Sequence, residues 1–150
     1  MNETLIKNWN EVVMPEDQIF HLGDFGFGSA DYLENILLRL NGKKYLIHGN
    51  HDQTILKHQE RFIGEGKFEW IKPYYELNAN GQKIVLCHYP ILSWNGIMKN
   101  SWMLYGHCHD TLSELNKGIR RIDVGVDNKE FDGYRPISLK EIEKKFEGLF

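Results

Sequence analysis

The chain has 150 residues, enough for one domain with a substantial core, and its 41% hydrophobic and 26% charged content is that of an ordinary soluble globular protein. A net charge of -3 argues against an extended nucleic-acid surface, which needs a basic face, but is compatible with a small phosphorylated substrate. No apolar run approaches the roughly 20 residues needed to cross a membrane, Met1-Asn2-Glu3-Thr4 has no signal-peptide character, and two cysteines without a secretory signal indicate reduced thiols and a cytoplasmic location.

Leu5, Ile6, Trp9, Val12 and Val13 share one face of a helix, with Asn2 as its cap and Pro15 as its stop. Residues 18–22 read as a buried strand ending at Gly23-Asp24. Phe25-Gly26-Phe27-Gly28 is a glycine-rich stretch, either a plain connection or a pocket wall. Ser29 or Asp31 caps a second helix bearing Leu33, Ile36, Leu37 and Leu40, which ends at Asn41-Gly42. Residues 44–48 form the next strand, followed by Gly49-Asn50-His51-Asp52 and a helix over 53–63. Short strands follow at 68–71 and 74–77. Asn78-Ala79-Asn80-Gly81 signals a hairpin into a strand over 83–87. Further strands are expected at 102–105 and 119–126. Ser138 and Glu141 form a capping box, with Ile137 and Ile142 as a hydrophobic staple, for a last helix over 139–147 packing on an outer face. Helices and strands alternate in the first half and strands dominate the second, which favours an α/β sandwich with a mixed sheet system.

Four strands end in Asp, Asn or His: Gly23-Asp24, Gly49-Asn50-His51-Asp52, Cys87-His88, and Gly106-His107-Cys108-His109. Polar groups at the carboxyl ends of strands are where α/β proteins build their sites. Asp24 offers an anionic oxygen, Asn50 an amide oxygen, and His88, His107 and His109 imidazole nitrogens. This mixed set suits a divalent transition metal, Mn²⁺, Fe, Zn²⁺ or Ni²⁺, better than Ca²⁺ or Mg²⁺. Neighbours on an extended chain face opposite ways, so Cys87 and Cys108 should face the core if His88 and His107 face the site. His21 and His48 read as supporting or packing residues and His58 as a solvated helix residue. Asp52 is either an orienter of the His51 imidazole or a simple helix cap.

In order and spacing these motifs resemble the calcineurin-like metallophosphoesterases, especially the small bacterial and phage-type members. Four family motifs are present across residues 23–109: Gly-Asp, Gly-Asn-His-Asp, His and Gly-His-x-His. The resemblance implies a four-layer α/β/β/α sandwich and a two-metal phosphoester hydrolase. It implies that Asp24 bridges the metals, that Asn50, His88 and His107 complete the second metal's shell, and that His109 binds the first. It also implies that His51 contacts the phosphoryl group and protonates or stabilises the leaving oxygen, so that His51 and Asp52 are the catalytic candidates.

The family's first motif, Asp-x-His on an N-terminal strand, has no counterpart here. The first metal then keeps only Asp24 and His109, so the expectation is one metal held more tightly than the other and weakened turnover. An absent strand also exposes a pairing edge and apolar surface, which predicts self-association or limited stability. Two other readings stand beside the enzyme. One is a binding or scaffold protein with a vestigial site, which exposed rings among Trp94, Trp102 and Tyr105 would support. The other is a metal-free phosphodiesterase using paired histidines as acid and base. The loops 25–29, 89–101 and 127–136 are expected to line the pocket; within them Tyr89, Trp94, Lys99 and Arg135 read first as structural residues and otherwise as contacts to a base or phosphate.

Overall fold

The computed structural model describes residues 3–109, 111–128, 131 and 133–148. Helix α1 (Glu3–Val12) buries Ile6 and Trp9, with Val13 just beyond it; Asn2, its expected cap, lies outside the described residues. Helix α2 (Ala30–Arg39) is capped by Ser29, whose hydroxyl accepts from the Tyr32 N–H at 3.1 Å. Asn41 ties the end of α2 to α1. Its carbonyl accepts from the Trp9 indole at 2.9 Å and its N–H donates to the Asn10 side chain at 2.8 Å. Gly42, at φ 98°, makes the turn that an L side chain would resist.

Strands β1 (Gln18–His21), β2 (Lys43–Ile47) and β3 (Ile71–Lys72) form a parallel sheet in the order β1-β2-β3. Period-two alternation sends Leu46 to the helix side and Ile47 to the opposite face. The expected strand at 68–71 is displaced to 71–72, although the Glu69 N–H already donates to the Lys44 carbonyl and the Leu46 N–H to that of Trp70. Where one helix was expected over 53–63, there are two, α3 (Gln53–Lys57) and α4 (Gln59–Gly64). His58 is the half-buried joint at φ -114°, and its ring nitrogen Nδ1 lies 3.0 Å from the Thr54 carbonyl, competing for a helical acceptor.

The second sheet runs β4-β5-β6-β7, from β4 (Tyr74–Ala79), β5 (Gln82–Cys87), β6 (Trp102–Tyr105) and β7 (Arg121–Asp123). Among the described residues β4 and β5 pair antiparallel, and β5 with β6 and β6 with β7 pair parallel. Asn80 and Gly81 both have positive φ, 54° and 84°, the two-residue turn whose twist matches a hairpin.

Three apolar clusters define the layers. The helices α1 to α4 cover one face of the first sheet, around Leu33, Leu37, Leu46, Ile55 and Phe62. Ile47, Ile84, Leu86 and Leu104 fill the space between the sheets. Val85, Trp94, Met103 and Tyr105 lie on the far face of the second sheet. There the covering layer is built from the 88–101 segment and the 3-10 turns Ile97–Lys99 and Ser113–Asn116. Trp94, Trp102 and Tyr105 are all buried, which is the packing role and not an exposed docking surface.

Helix α5 (Leu139–Glu147) has both arms of the capping box at Ser138 and Glu141. It differs from expectation in position: Ile142 and Phe146 join the cluster between the sheets, Phe146 meeting Trp102 at 5.2 Å, because Trp102 leaves an apolar surface there for a helix to cover. Of the two readings of Arg135 the structural one describes it: it pairs with Glu141, and this pairing holds the Glu141 carboxyl at about 2, well below its ordinary 4.5. A depressed carboxyl stabilises the fold when ionised, so its contribution is full above pH 4.5 and lost as the pH falls through about 2. Glu141→Gln is accordingly expected to lower stability by about 0.5–1 kcal/mol near neutrality. In denaturant titrations its difference from the parent should vanish at the acid end of that window; a difference independent of pH would refute the assignment.

Candidate metal centre

The carboxyl ends of β1, β2, β5 and β6 meet at one edge. Gly106 and His107 donate their N–H groups to the His88 carbonyl, at 3.1 and 3.0 Å, which joins two of these ends. The His88 ring reaches across to the first sheet, where Nδ1 lies 2.7 Å from the Leu22 carbonyl. A carbonyl only accepts, so Nδ1 carries the proton and Nε2 presents its lone pair. That lone pair faces Asn50 Oδ1 at 2.9 Å, His107 Nδ1 at 3.1 Å and Asp24 Oδ2 at 3.4 Å.

Two oxygens and a nitrogen of His107 thus converge on Nε2 of a histidine that is 1% exposed. The Asn50 and Asp24 oxygens are acceptors turned towards that lone pair, an arrangement that a cation would relieve. A divalent ion converts the same convergence into coordination. Ligand atoms of Asp24, His88 and His107 lie within 4.8 Å of one another. Oxygen and imidazole donors with no thiolate fit a divalent transition metal. Cys87, at the end of β5, packs against the outer cluster of the second sheet as strand alternation requires, and Cys108, in the turn after β6, packs there too.

Two glycines make this approach possible. A Cβ on Gly23, which has φ 104°, would collide with His88 Nδ1 and lie 2.9 Å from Gly49 Cα. A Cβ on Gly49 would collide with Asp24 Oδ1 and lie 2.7 Å from the Asp24 nitrogen and 2.8 Å from His88 Cε1. Asp24 itself sits at φ 55°, a left-handed conformation that costs a non-glycine residue about 1–3 kcal/mol.

Asp52 holds Asp24 there. Its side chain is 1% exposed, and its carboxylate accepts three backbone N–H groups: Gly49 at 2.7 Å, Asp24 at 2.8 Å and Phe25 at 2.8 Å. Its side chain makes no cap bond at the start of α3, and its oxygens are engaged by the backbone. Asp52 is a clamp between two strand ends, and no local pattern announces that, because two of its donors lie 27 and 28 residues away.

His51 is exposed. Its N–H donates to Asp24 Oδ1 at 2.9 Å and its ring lies 5.3 Å from that of Phe27. His21 accepts from the Gly23 N–H at Nδ1, 3.2 Å away, and burial pushes its imidazole below the ordinary value against the pull of Asp52 and Asp24. This is the supporting part expected of it. His109 stands apart from the cluster. Its Nδ1 meets Asp127 Oδ2 at 2.6 Å, and this hydrogen bond, with the Asp127 charge behind it, holds the imidazole above its ordinary value. Asp127 was missed as a partner, although it stands just past the end of β7, the kind of position that singled out Asp24. Among the other proposed pocket contacts, Trp94 is buried and bonded to Ser101, whereas Tyr89 is exposed and 4.7 Å from the His107 ring.

Comparison with known proteins agrees with this picture. A sequence model of the calcineurin-like phosphoesterase superfamily domain matches residues 2–139. The uncharacterized protein MJ1445 of Methanocaldococcus jannaschii is 35% identical over 153 residues, spanning 98% of this chain and 76% of that protein. The crystal structure of AQ665 from Aquifex aeolicus, a protein of unknown function, is similar at a TM-score of 0.67 and 27% identity, over 94% of this chain and 82% of that one. No helix among the described residues is long and apolar enough to cross a membrane.

Proposed function

Since the chain belongs to the calcineurin-like phosphoesterase superfamily, we propose that it hydrolyses small phosphoesters at a metal centre formed by Asp24, Asn50, His88 and His107. The observation that carries this reading is the His88 lone pair turned towards an amide oxygen, a carboxylate and a second imidazole. A divalent cation bound there would supply Lewis acidity, neutralising phosphoryl charge and acidifying water towards neutral pH. Asp24 and Asn50 contribute oxygen ligands and the two imidazoles nitrogen ligands. Leu22 keeps the His88 tautomer that leaves Nε2 free to coordinate. His51, exposed beside Asp24, is positioned to donate a proton to the departing ester oxygen or to hold the transferring group.

Hydrolysis of bis(4-nitrophenyl) phosphate with added Mn²⁺ tests this directly. Chelation should abolish turnover and readdition of metal restore it, while Asp24→Asn should lower kcat by about 100-fold or more. Activity that survives chelation would favour the paired-histidine alternative and sink the metal reading.

His109 favours a second, narrower reading. With its Nδ1 engaged by Asp127, the ligands around His88 are better assembled than those of a second ion. The chain is then a binder of one tight metal with impaired turnover. Equilibrium dialysis should find one strongly held Mn²⁺ or Zn²⁺ per chain; two ions of equal affinity would refute this reading.

A further inference from the structure

Two exposed aromatic rings stand beside the metal centre, on separate segments. Phe25 and Phe27 flank Gly26 in the connection from β1 to α2. Phe25 turns inward, buried at 5% and edge-on to Phe68, while Phe27 turns outward at 71% exposure with its ring against His51. On the other sheet, Tyr89 directly follows His88 and is 46% exposed. Its ring centroid lies 4.7 Å from that of His107 and 4.9 Å from that of His88. A single exposed Phe or Tyr is ordinary on a protein surface. Here each ring contacts an imidazole of the site itself, one beside Asp24 and one among the ligands.

Resting on the phosphoesterase reading of the same site, we propose that the substrate carries a planar aromatic group on its phosphoester and that Phe27 and Tyr89 select it. A phosphoryl group drawn to a cation held by Asp24, His88 and His107 would direct its ester substituent out of the cluster, past the side chains at its mouth. Aromatic rings associate offset or edge-on at centroid separations of about 4.5–7 Å, so these two offer faces and edges that a saturated chain uses poorly. Stacking also tolerates variation in the ring, because every heteroaromatic base or phenol presents a π-face. The two sources of such a ring, a nucleobase and a phenol, share this chemistry.

Binding of non-hydrolysable phosphonates to the Mn²⁺-loaded protein, measured by calorimetry, tests the proposal without requiring turnover. Phenylphosphonate or a nucleoside 5′-phosphonate should bind about tenfold or more tighter than methylphosphonate, and the tighter of the two identifies the source of the ring. Phe27→Ala and Tyr89→Ala should each reduce the aromatic-to-methyl affinity ratio by about five- to tenfold. Phe27→Leu, which keeps apolar bulk without the ring, should reduce it nearly as much. Equal affinity for the three phosphonates, no binding of any of them, or a ratio unmoved in both alanine variants would overturn the proposal. Selective binding without hydrolysis of any ester would uphold aromatic selection and refute the catalytic reading. Hydrolysis with an unchanged ratio would do the reverse.

Discussion

Gly49→Ala is expected to destroy the metal centre while changing only one methyl group. The added Cβ would collide with the Asp24 carboxylate and fall 2.7 Å from the Asp24 backbone nitrogen and 2.8 Å from His88 Cε1. Rotation of a flexible side chain cannot relieve this, because one of the opposing atoms is backbone and His88 is fixed by the Leu22 carbonyl. Overpacking of this kind costs about 1–3 kcal/mol in ordinary cores and more where backbone must move. Movement here separates Asp24 from His88, so Mn²⁺ affinity should fall by about 100-fold or more, at the top of the range seen when ligand positioning is lost. Gly64→Ala is the control. Its Cβ would meet nothing within 4 Å, at the last residue of α4, and the change should be neutral or stabilise by about 0.4–1 kcal/mol. Calorimetric metal titration and thermal unfolding of both variants decide the matter; a Gly49→Ala protein that binds Mn²⁺ like its parent would show that the strand ends are not packed as described.

Asp52→Asn should be nearly as damaging, and its signature separates two roles for this residue. As a clamp, the carboxylate receives N–H groups from Gly49, Asp24 and Phe25 at 2.7–2.8 Å. An amide supplies one oxygen and turns an NH₂ donor towards another donor. Gly49 and Asp24 share one carboxylate oxygen, so the amide oxygen can serve both while the NH₂ faces the Phe25 N–H; one buried donor left without a partner costs about 1–3 kcal/mol, so a loss of up to about 3 kcal/mol is expected. For a chain of this length that corresponds to a fall in Tm of up to about 10 °C. Asp24, released from its left-handed conformation, would also weaken metal binding. An orienter of the His51 imidazole would behave differently: Asp52→Asn would reduce kcat and leave Tm and metal affinity intact. That outcome would return Asp52 to the catalytic group.

The parts legible in the sequence are those encoded by neighbours along the chain. Asn80-Gly81 specified a tight hairpin because both residues tolerate positive φ. Ser138 and Glu141 specified the start of α5 because the two sides of a capping box lie three residues apart. That His88 and Cys87 face opposite ways, one towards the first sheet and one towards the outer cluster, followed from the pleat of one strand. The strand-end motifs brought Asp24, Asn50, His88 and His107 into view because each is a short run closed by polar residues.

Other features depended on what lies across the fold. No spacing rule reveals that the Asp52 carboxylate meets N–H groups 27 and 28 residues earlier, that the His109 ring meets Asp127, or that α5 covers Trp102 between the sheets. Backbone propensity and side-chain periodicity act over a few residues, so the sequence by itself determined the elements and the chemistry their ends carry. Which lone pair faces which proton is a matter of ångströms between segments that packing alone brings together, and only the tertiary structure decided it.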